Sequence, residues 1–203
     1  MKKVLQFTGL AAALVAFTTS LHADAPKVGE KAPAFTLTSS VGNEHSLSDF
    51  EGKFVVLEWT NHGCPFVKKH YESGNMQATQ KAVLGHDAVW LSICSSAPGK
   101  QGHMKPEDIN AKLKALGAEA TAYLIDEDGT VGKSYNATRT PEIFIINPEG
   151  VLVYHGAIDS IPSARPSDVE KATNFVMAAF KSIGKGEAIA QSVTQAYGCS
   201  VKY

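Results

Sequence analysis

Apolar and polar positions alternate along the chain with two distinct periods. "AFTLTSSVGNEHSL" (34–47) alternates on either side of Val41-Gly42-Asn43, which predicts a β-hairpin. "FVVLEWT" (54–60) is almost unbroken and β-branched, as expected of a strand buried on both faces of a parallel sheet. Pro65 then occupies a helix start, where its fixed φ is helical and its missing N–H removes nothing. The helix it opens runs through "FVKKHYES", is disturbed at Gly74 and resumes in "MQATQKAVLG". "AVWLSIC" (88–94) predicts a second buried strand, followed by a loop over "SSAPGKQG". "PEDINAKLKALG" (106–117) opens on Pro and two acids and closes on Gly, so both ends of a helix are signalled. "AYLI" is a short strand, and "DGTVGKSYN" a turn into a short helix. "EIFIINPEGVLVYHG" (142–156) reads as a hairpin through Asn147-Pro148-Glu149-Gly150. A last helix is expected over 167–184, with Ser167 as N-cap and Glu170 in the capping-box position. The final stretch, 185–203, has little periodicity and reads as a tail able to swing.

This order predicts an α/β fold: a central mixed β-sheet flanked by helices, with an N-terminal β-hairpin and a C-terminal tail. The folded domain is expected over residues 26–184. Ahead of it, Lys2 and Lys3 precede a short apolar run from Gly9 to Phe17 and then small residues through Ala23 and Ala25. That run is too short to cross a bilayer and has the layout of a signal peptide over 1–23. An exported protein, periplasmic or secreted and with no stable membrane insertion after cleavage, is therefore expected.

Composition adds two constraints. Hydrophobic content of 44% and charged content of 19% suit one globular domain in 203 residues. A formal net charge of −1 gives no reason to expect nucleic acid or an anionic membrane as partner. Export also changes what the three cysteines mean, because Cys64, Cys94 and Cys199 would all meet a compartment that permits disulfides. Three is odd, so at least one thiol is left free or reactive.

Cys64 lies where a buried strand turns into a helix. The unpaired N–H groups and positive dipole end there favour a thiolate. Lys68 follows one turn later and His62 precedes by two residues, and both are candidates to stabilise an anion. As a bare pattern, Lys68 and Lys69 read more readily as a solvated helix face. Thr140-Pro141 opens the "EIFII" strand, where a proline's missing donor does least harm and where a cis bond would set backbone against Cys64.

The motifs "NHGCPFVKKHYESGNMQ" (61–77), "SSAPGKQG" (95–102), Thr140-Pro141, "GVLVYHGAID" (150–159) and "GCSVKY" (198–203) together carry a resemblance. From about residue 28 to its end the chain resembles the thioredoxin-like redoxins, the broad group of peroxiredoxins and thiol-disulfide oxidoreductases, and within it an exported redoxin-domain family. The resemblance implies a thioredoxin-like fold and an antioxidant or oxidoreductase activity at Cys64. Its partners would be a thiol reductant and an oxidised protein or a peroxide, with no cofactor and no metal. Two departures are informative. Thioredoxins place a second Cys three residues after the first, and here that position is Val67. Peroxiredoxins place Pro and Thr before the Cys, and here those positions are Leu57 and Asn61, with Thr60 one residue out of register.

With no neighbouring thiol, Cys64 would be resolved by one of two distant cysteines, Cys199 being preferred over Cys94, or by an external thiol. Cys94 ends an adjacent strand, and Cys199 sits in the tail. Two other classes of function stay open: a Cu or Zn module using Cys64 with His62, His70 or His103, and a catalytically silent thioredoxin-fold interaction domain.

Overall fold

The computed structural model describes residues 25–203; the expected signal peptide, 1–23, lies outside them. The hairpin forms as β1 (Thr36–Ser39) and β2 (Glu44–Ser46). The apolar runs form β3 (Phe54–Trp59) and β4 (Ala88–Cys94). Between them the helical stretch is split into α1 (Pro65–Glu72) and α2 (Asn75–Leu84) by Gly74, which takes φ 75° and caps the second helix. The remaining elements are α3 (Pro106–Leu116), β5 (Ala122–Ile125), α4 (Thr130–Ser134), β6 (Arg139–Thr140), β7 (Glu142–Ile146), β8 (Leu152–Gly156), α5 (Phe175–Gly184) and β9 (Cys199–Ser200).

Seven strands make one sheet in the order β2-β1-β5-β4-β3-β7-β8. β3, β4 and β5 run parallel, and β7 lies antiparallel to β3. All seven residues of β4 are buried, as its unbroken apolar run requires. On one face Val56, Trp90, Ile143 and Ile145 pack with residues of α1, α2 and α5. On the other, Leu57, Trp59, Leu91 and Phe144 pack with Phe35 and with Val131 and Tyr135 around α4. This is the thioredoxin-like arrangement. It places the C-terminal ends of β3 and β4 and the N-terminal end of β7 at one edge of the sheet.

Two expectations need correction. The last helix does not begin at Ser167. A 3-10 turn covers Pro166–Lys171, and α5 starts only after Asn174, whose side chain accepts from the Met177 N–H at 3.0 Å. Thr173 and Asn174 are held extended instead. Ser160 N–H donates to Thr173 O, and Asp159 bridges to Asn174, so the backbone enters the helix from a strand-like contact.

The second correction concerns residues 185–203, which are pinned to the domain from Ser192 onward and are not a swinging tail. His155 N–H donates to Ser192 O and Thr194 N–H to His155 O. Cys199 and Ser200 pair with Thr140 and Arg139 as a two-stranded ladder. The Ala97 N–H donates to Lys202 O, and the Tyr203 hydroxyl to Ala137 O at 2.7 Å.

Candidate active site

Cys64 is the N-cap residue of α1, with Pro65 as the first helical residue. Its side chain is fully buried. The Thr140–Pro141 peptide bond is cis, and Cys64 Sγ lies 3.2 Å from the Thr140 carbonyl oxygen. β9 completes the enclosure, because its pairing sets Cys199 opposite Thr140. The sheet edge thus gathers Cys64, Thr140, Pro141 and Cys199 in one place.

Burial alone would push the Cys64 thiol up. Hydrogen bonds pull it down, led by the Cys199 thiol and followed by the backbone of Val67, the backbone of Cys199 and the side chain of Thr140, and the net direction is down. Cys199 moves the opposite way, to about 11, through burial, its hydrogen bond to Cys64 and the Cys64 charge, with Lys202 opposing. The two thiols therefore titrate as a coupled pair, with Cys64 the first to give up its proton and Cys199 the last.

The flanking residues are not where their spacing suggested. Lys68 is exposed, in keeping with a solvated face, whereas Lys69 is completely buried. Its Nζ meets Asp159 Oδ2 at 2.8 Å, the Ile161 carbonyl at 2.9 Å and the Tyr197 hydroxyl at 3.2 Å. His62 is neither an exposed loop residue nor a cation beside the thiolate. It is buried, stacked on Tyr123 with ring centroids 5.8 Å apart and edge-on to Tyr71 at 5.1 Å. Burial, helped by Lys112, lowers it to about 4, so the ring is neutral at pH 7. Thr60 is buried and its N–H donates to Ile93 O, which continues the strand contact. Asn61, which replaces the peroxiredoxin threonine, builds the turn. Its Oδ1 accepts the Gly63 N–H at 2.8 Å and its Nδ2 donates to Gln101 O at 3.0 Å.

Cys94 is buried at the end of β4, beside Ile109 and Tyr123, and its thiol donates to the Gly102 carbonyl at 3.6 Å. His70 bonds to Asn75 and Tyr197, and His103 meets Glu127 at 3.1 Å. Among the described residues no group of three or more His, Cys, Asp or Glu side chains stands close enough to hold a metal. No helix among them is long and apolar enough to cross a membrane.

Two residues near the site were not singled out from the sequence. Glu58 is buried in β3 and accepts from Trp90 Nε1 at 2.9 Å, Ser92 Oγ at 2.8 Å and the Tyr71 hydroxyl at 3.2 Å. Burial raises its carboxyl above the usual range despite those donors. A lone acid inside "FVVLEWT" was a legible signal. Tyr197, two residues before Cys199, packs edge-on against Phe66 and bonds to Lys69 and Asp159. Only the fold reveals it.

The likenesses to known proteins agree with this geometry. The chain is 28% identical over 125 residues to the thiol-disulfide oxidoreductase ResA of Bacillus subtilis, a match over 62% of this chain and 64% of that protein's length. It is 28% identical over 181 residues to the bovine mitochondrial thioredoxin-dependent peroxide reductase, covering 85% of this chain and 68% of that one. Among solved structures, a hypothetical protein of Sinorhizobium meliloti 1021 aligns with a TM-score of 0.76 at 26% identity, over 89% of this chain and 96% of its own. An uncharacterized conserved protein of Geobacillus kaustophilus aligns with a TM-score of 0.72 at 25% identity, over 87% and 92%. The AhpC/TSA family model matches residues 28–155, and the chain belongs to that family.

Proposed function

We propose that this chain is an exported thiol oxidoreductase in which the Cys64 thiolate reduces a disulfide or a peroxide and Cys199 resolves the product. The observation that carries the reading is the pairing of β9 with β6, which sets Cys199 beside Cys64 with opposite pKa shifts on the two thiols. With a peroxide, the Cys64 thiolate attacks one oxygen, the O–O bond breaks, the alkoxide or hydroxide leaves and takes a proton from solvent, replacing the one Cys64 gave up on ionising, and Cys64 becomes a sulfenic acid. Cys199 then attacks that sulfur, its proton leaves with the hydroxide as water, and a Cys64–Cys199 disulfide forms. With a disulfide substrate the same two steps pass through a mixed disulfide and release two substrate thiols. An external dithiol returns both cysteines to the free state. The Val67 position excludes a local dithiol, so the partner must come from elsewhere in the chain or from outside it.

Export rests on Lys2, Lys3 and the apolar run of 9–17. The Leu57 and Asn61 departures favour thiol chemistry slower than that of a dedicated peroxidase.

The test is stoichiometric oxidation of the mature protein with hydrogen peroxide, followed by non-reducing peptide mass mapping. A Cys64–Cys199 peptide that disappears with dithiothreitol is expected. Cys64 overoxidised with Cys199 free, or Cys199 linking two chains, would replace this reading with a one-cysteine enzyme served by an external thiol.

A further inference from the structure

Beneath the Cys64–Cys199 pair lies a buried polar cluster that the thiol chemistry itself does not use. Lys69 Nζ and Asp159 form an ion pair at 2.8 Å, with side chains 0% and 2% exposed. Ion pairs this dry need every remaining valence filled, because each unpaired charge or lone pair is left without water. Tyr197 supplies the filling. Its hydroxyl donates to Asp159 Oδ1 and accepts from Lys69 Nζ at 3.2 Å. A further proton comes from His70, whose Nε2 lies 3.2 Å away.

The tautomer of His70 follows from its neighbours. Asn174 Nδ2 donates to Asn75 Oδ1, so the amide of Asn75 turns its NH₂ to His70 Nδ1 at 2.8 Å. Nδ1 therefore accepts, and Nε2 carries the hydrogen toward Tyr197. Burial lowers His70 to about 4, with Asp159 opposing and Lys69 assisting, so it holds this neutral form through the physiological range. The hydroxyl thus accepts two hydrogen bonds and donates one, using its full capacity.

Geometry links this anchor to the thiols. Lys69 stands on α1, five residues after Cys64, and Asp159 lies three residues beyond β8. Tyr197 is two residues before Cys199. Its ring also rests edge-on against Phe66, the second residue of the helix that Cys64 caps, with centroids 5.8 Å apart. Residues 198–200 have little else to hold them from the side chains. Cys199 is only partly buried, and β9 is two residues long. A two-strand ladder that short is marginal by itself.

We propose that Tyr197 is a positioning residue: the Lys69–Asp159 pair binds its hydroxyl and thereby holds Cys199 within reach of Cys64. The proposal rests on Cys199 being the resolving thiol. Its chemical consequence is an effective concentration. A sulfenic acid on Cys64 partitions between attack by Cys199, which gives the disulfide and water, and attack on a second hydrogen peroxide, which gives the sulfinic acid and water. A fixed Cys199 favours the first branch, because a held reactant converts a chance encounter into an oriented unimolecular step.

Tyr197→Phe removes one oxygen and keeps the ring on Phe66. In the full mature chain, hydrogen peroxide is titrated and the ratio of Cys64 sulfinic acid to Cys64–Cys199 disulfide is read by mass spectrometry. The expected result is a rise in that ratio of about tenfold, the factor equivalent to 1.4 kcal/mol. The equilibrium constant for forming the intramolecular disulfide against glutathione should fall correspondingly. Thermal unfolding run in parallel establishes that the variant is folded, and a loss of stability alone would move neither the ratio nor the equilibrium constant in the folded protein. If Tyr197→Phe lowers Tm, the ratio is read well below the variant's transition, where the protein is fully folded, and the same rise is expected there. Disulfide formation in wild type with an unchanged ratio in Tyr197→Phe overturns the anchor and leaves Cys199 as resolver. Absence of the Cys64–Cys199 disulfide in wild type overturns the resolver reading itself, and the anchor with it.

Discussion

Cys64 and Cys94 stand at the same edge of one sheet, the first five residues beyond β3 and the second at the end of its parallel neighbour β4. Both are buried and both are free thiols. Each sulfur meets a backbone carbonyl, and what differs is the set of donors around it. Cys64 caps a helix, and although its Sγ also lies 3.2 Å from a carbonyl oxygen, that of Thr140, several donors reach it: the Cys199 thiol, the Val67 and Cys199 backbone and the Thr140 side chain. Cys94 ends a strand; its Sγ donates to the Gly102 carbonyl at 3.6 Å, and the Tyr123 side chain stands beside it. A thiolate needs hydrogen-bond donors, whereas a carbonyl oxygen stabilises only the protonated thiol. Burial therefore does not distinguish the two cysteines. The number of donors around each sulfur does, and backbone donors gather where the chain next turns into a helix.

The sharpest way to break this comparison is to delete each sulfur in turn. Cys64→Ser is expected to reduce turnover of hydrogen peroxide and of a model disulfide to the background rate. Cys94→Ser should keep turnover within about twofold, because surface-remote, non-reacting thiols act through packing alone. Steady-state assays with a dithiol reductant read both. Retained activity in Cys64→Ser, or a matching loss in Cys94→Ser, would erase the distinction between the two sites.

The second difference is that the chain's own C-terminal segment covers Cys64. Gly198 carries that contact at φ +125°, and a Cβ built on it would lie 2.1 Å from the Thr140 carbonyl oxygen. A side chain there cannot be absorbed by a flexible neighbour, since the obstacle is backbone. Gly198→Ala should lift β9 from β6 at about 1–3 kcal/mol. For a chain of this size that lowers Tm by about 2–4 °C per kcal/mol. Iodoacetamide labelling of Cys199 should become faster and Cys64–Cys199 disulfide formation slower, while labelling of Cys94 is unchanged. Equal acceleration at Cys94 would mean that the whole sheet edge had loosened rather than the strap alone.

The sequence made the scaffold and the place of Cys64 at a strand-to-helix turn legible for the same reason. β3, Pro65 and α1 are written in local patterns, and a helix N-terminus after a buried strand has a predictable electrostatic sense. The pattern failed where partners are distant. Lys69 sits in "VKKHY" beside an exposed lysine, and its burial depends on Asp159, 90 residues on, and Tyr197, 128 residues on. Residues 185–203 look unstructured because they pack through backbone pairing and single anchors, which leave no periodicity. Even the start of α5 depends on distance. Ser167 and Asn174 are both competent caps, and the contact of 173–174 with 159–160 selects the second.

The smallest effect tests the electrostatic part of the comparison directly. Cys199 is the largest of the influences that lower Cys64, ahead of the Val67 backbone. Replacing it with Ala removes a donor to the thiolate and little volume. The thiolate of Cys64 then loses stabilisation while the penalty of burial stays, so its pKa must rise and a smaller fraction is ionised at neutral pH. Thiolate ultraviolet absorbance, titrated in a Cys94→Ser background with and without Cys199→Ala, reads the shift. The wild-type curve should show Cys64 ionising below an ordinary thiol and Cys199 near pH 11. With Cys199→Ala the high step vanishes and the low one moves upward. Neither curve should carry an imidazolium step near pH 6.5, since His62 and His70 remain neutral down to about 4. A Cys64 step that stays in place would leave the N-terminus of α1 as sufficient to create the thiolate. Cys199 would then act only in the second half of the reaction, and the contrast with Cys94 would reduce to strand end against helix start.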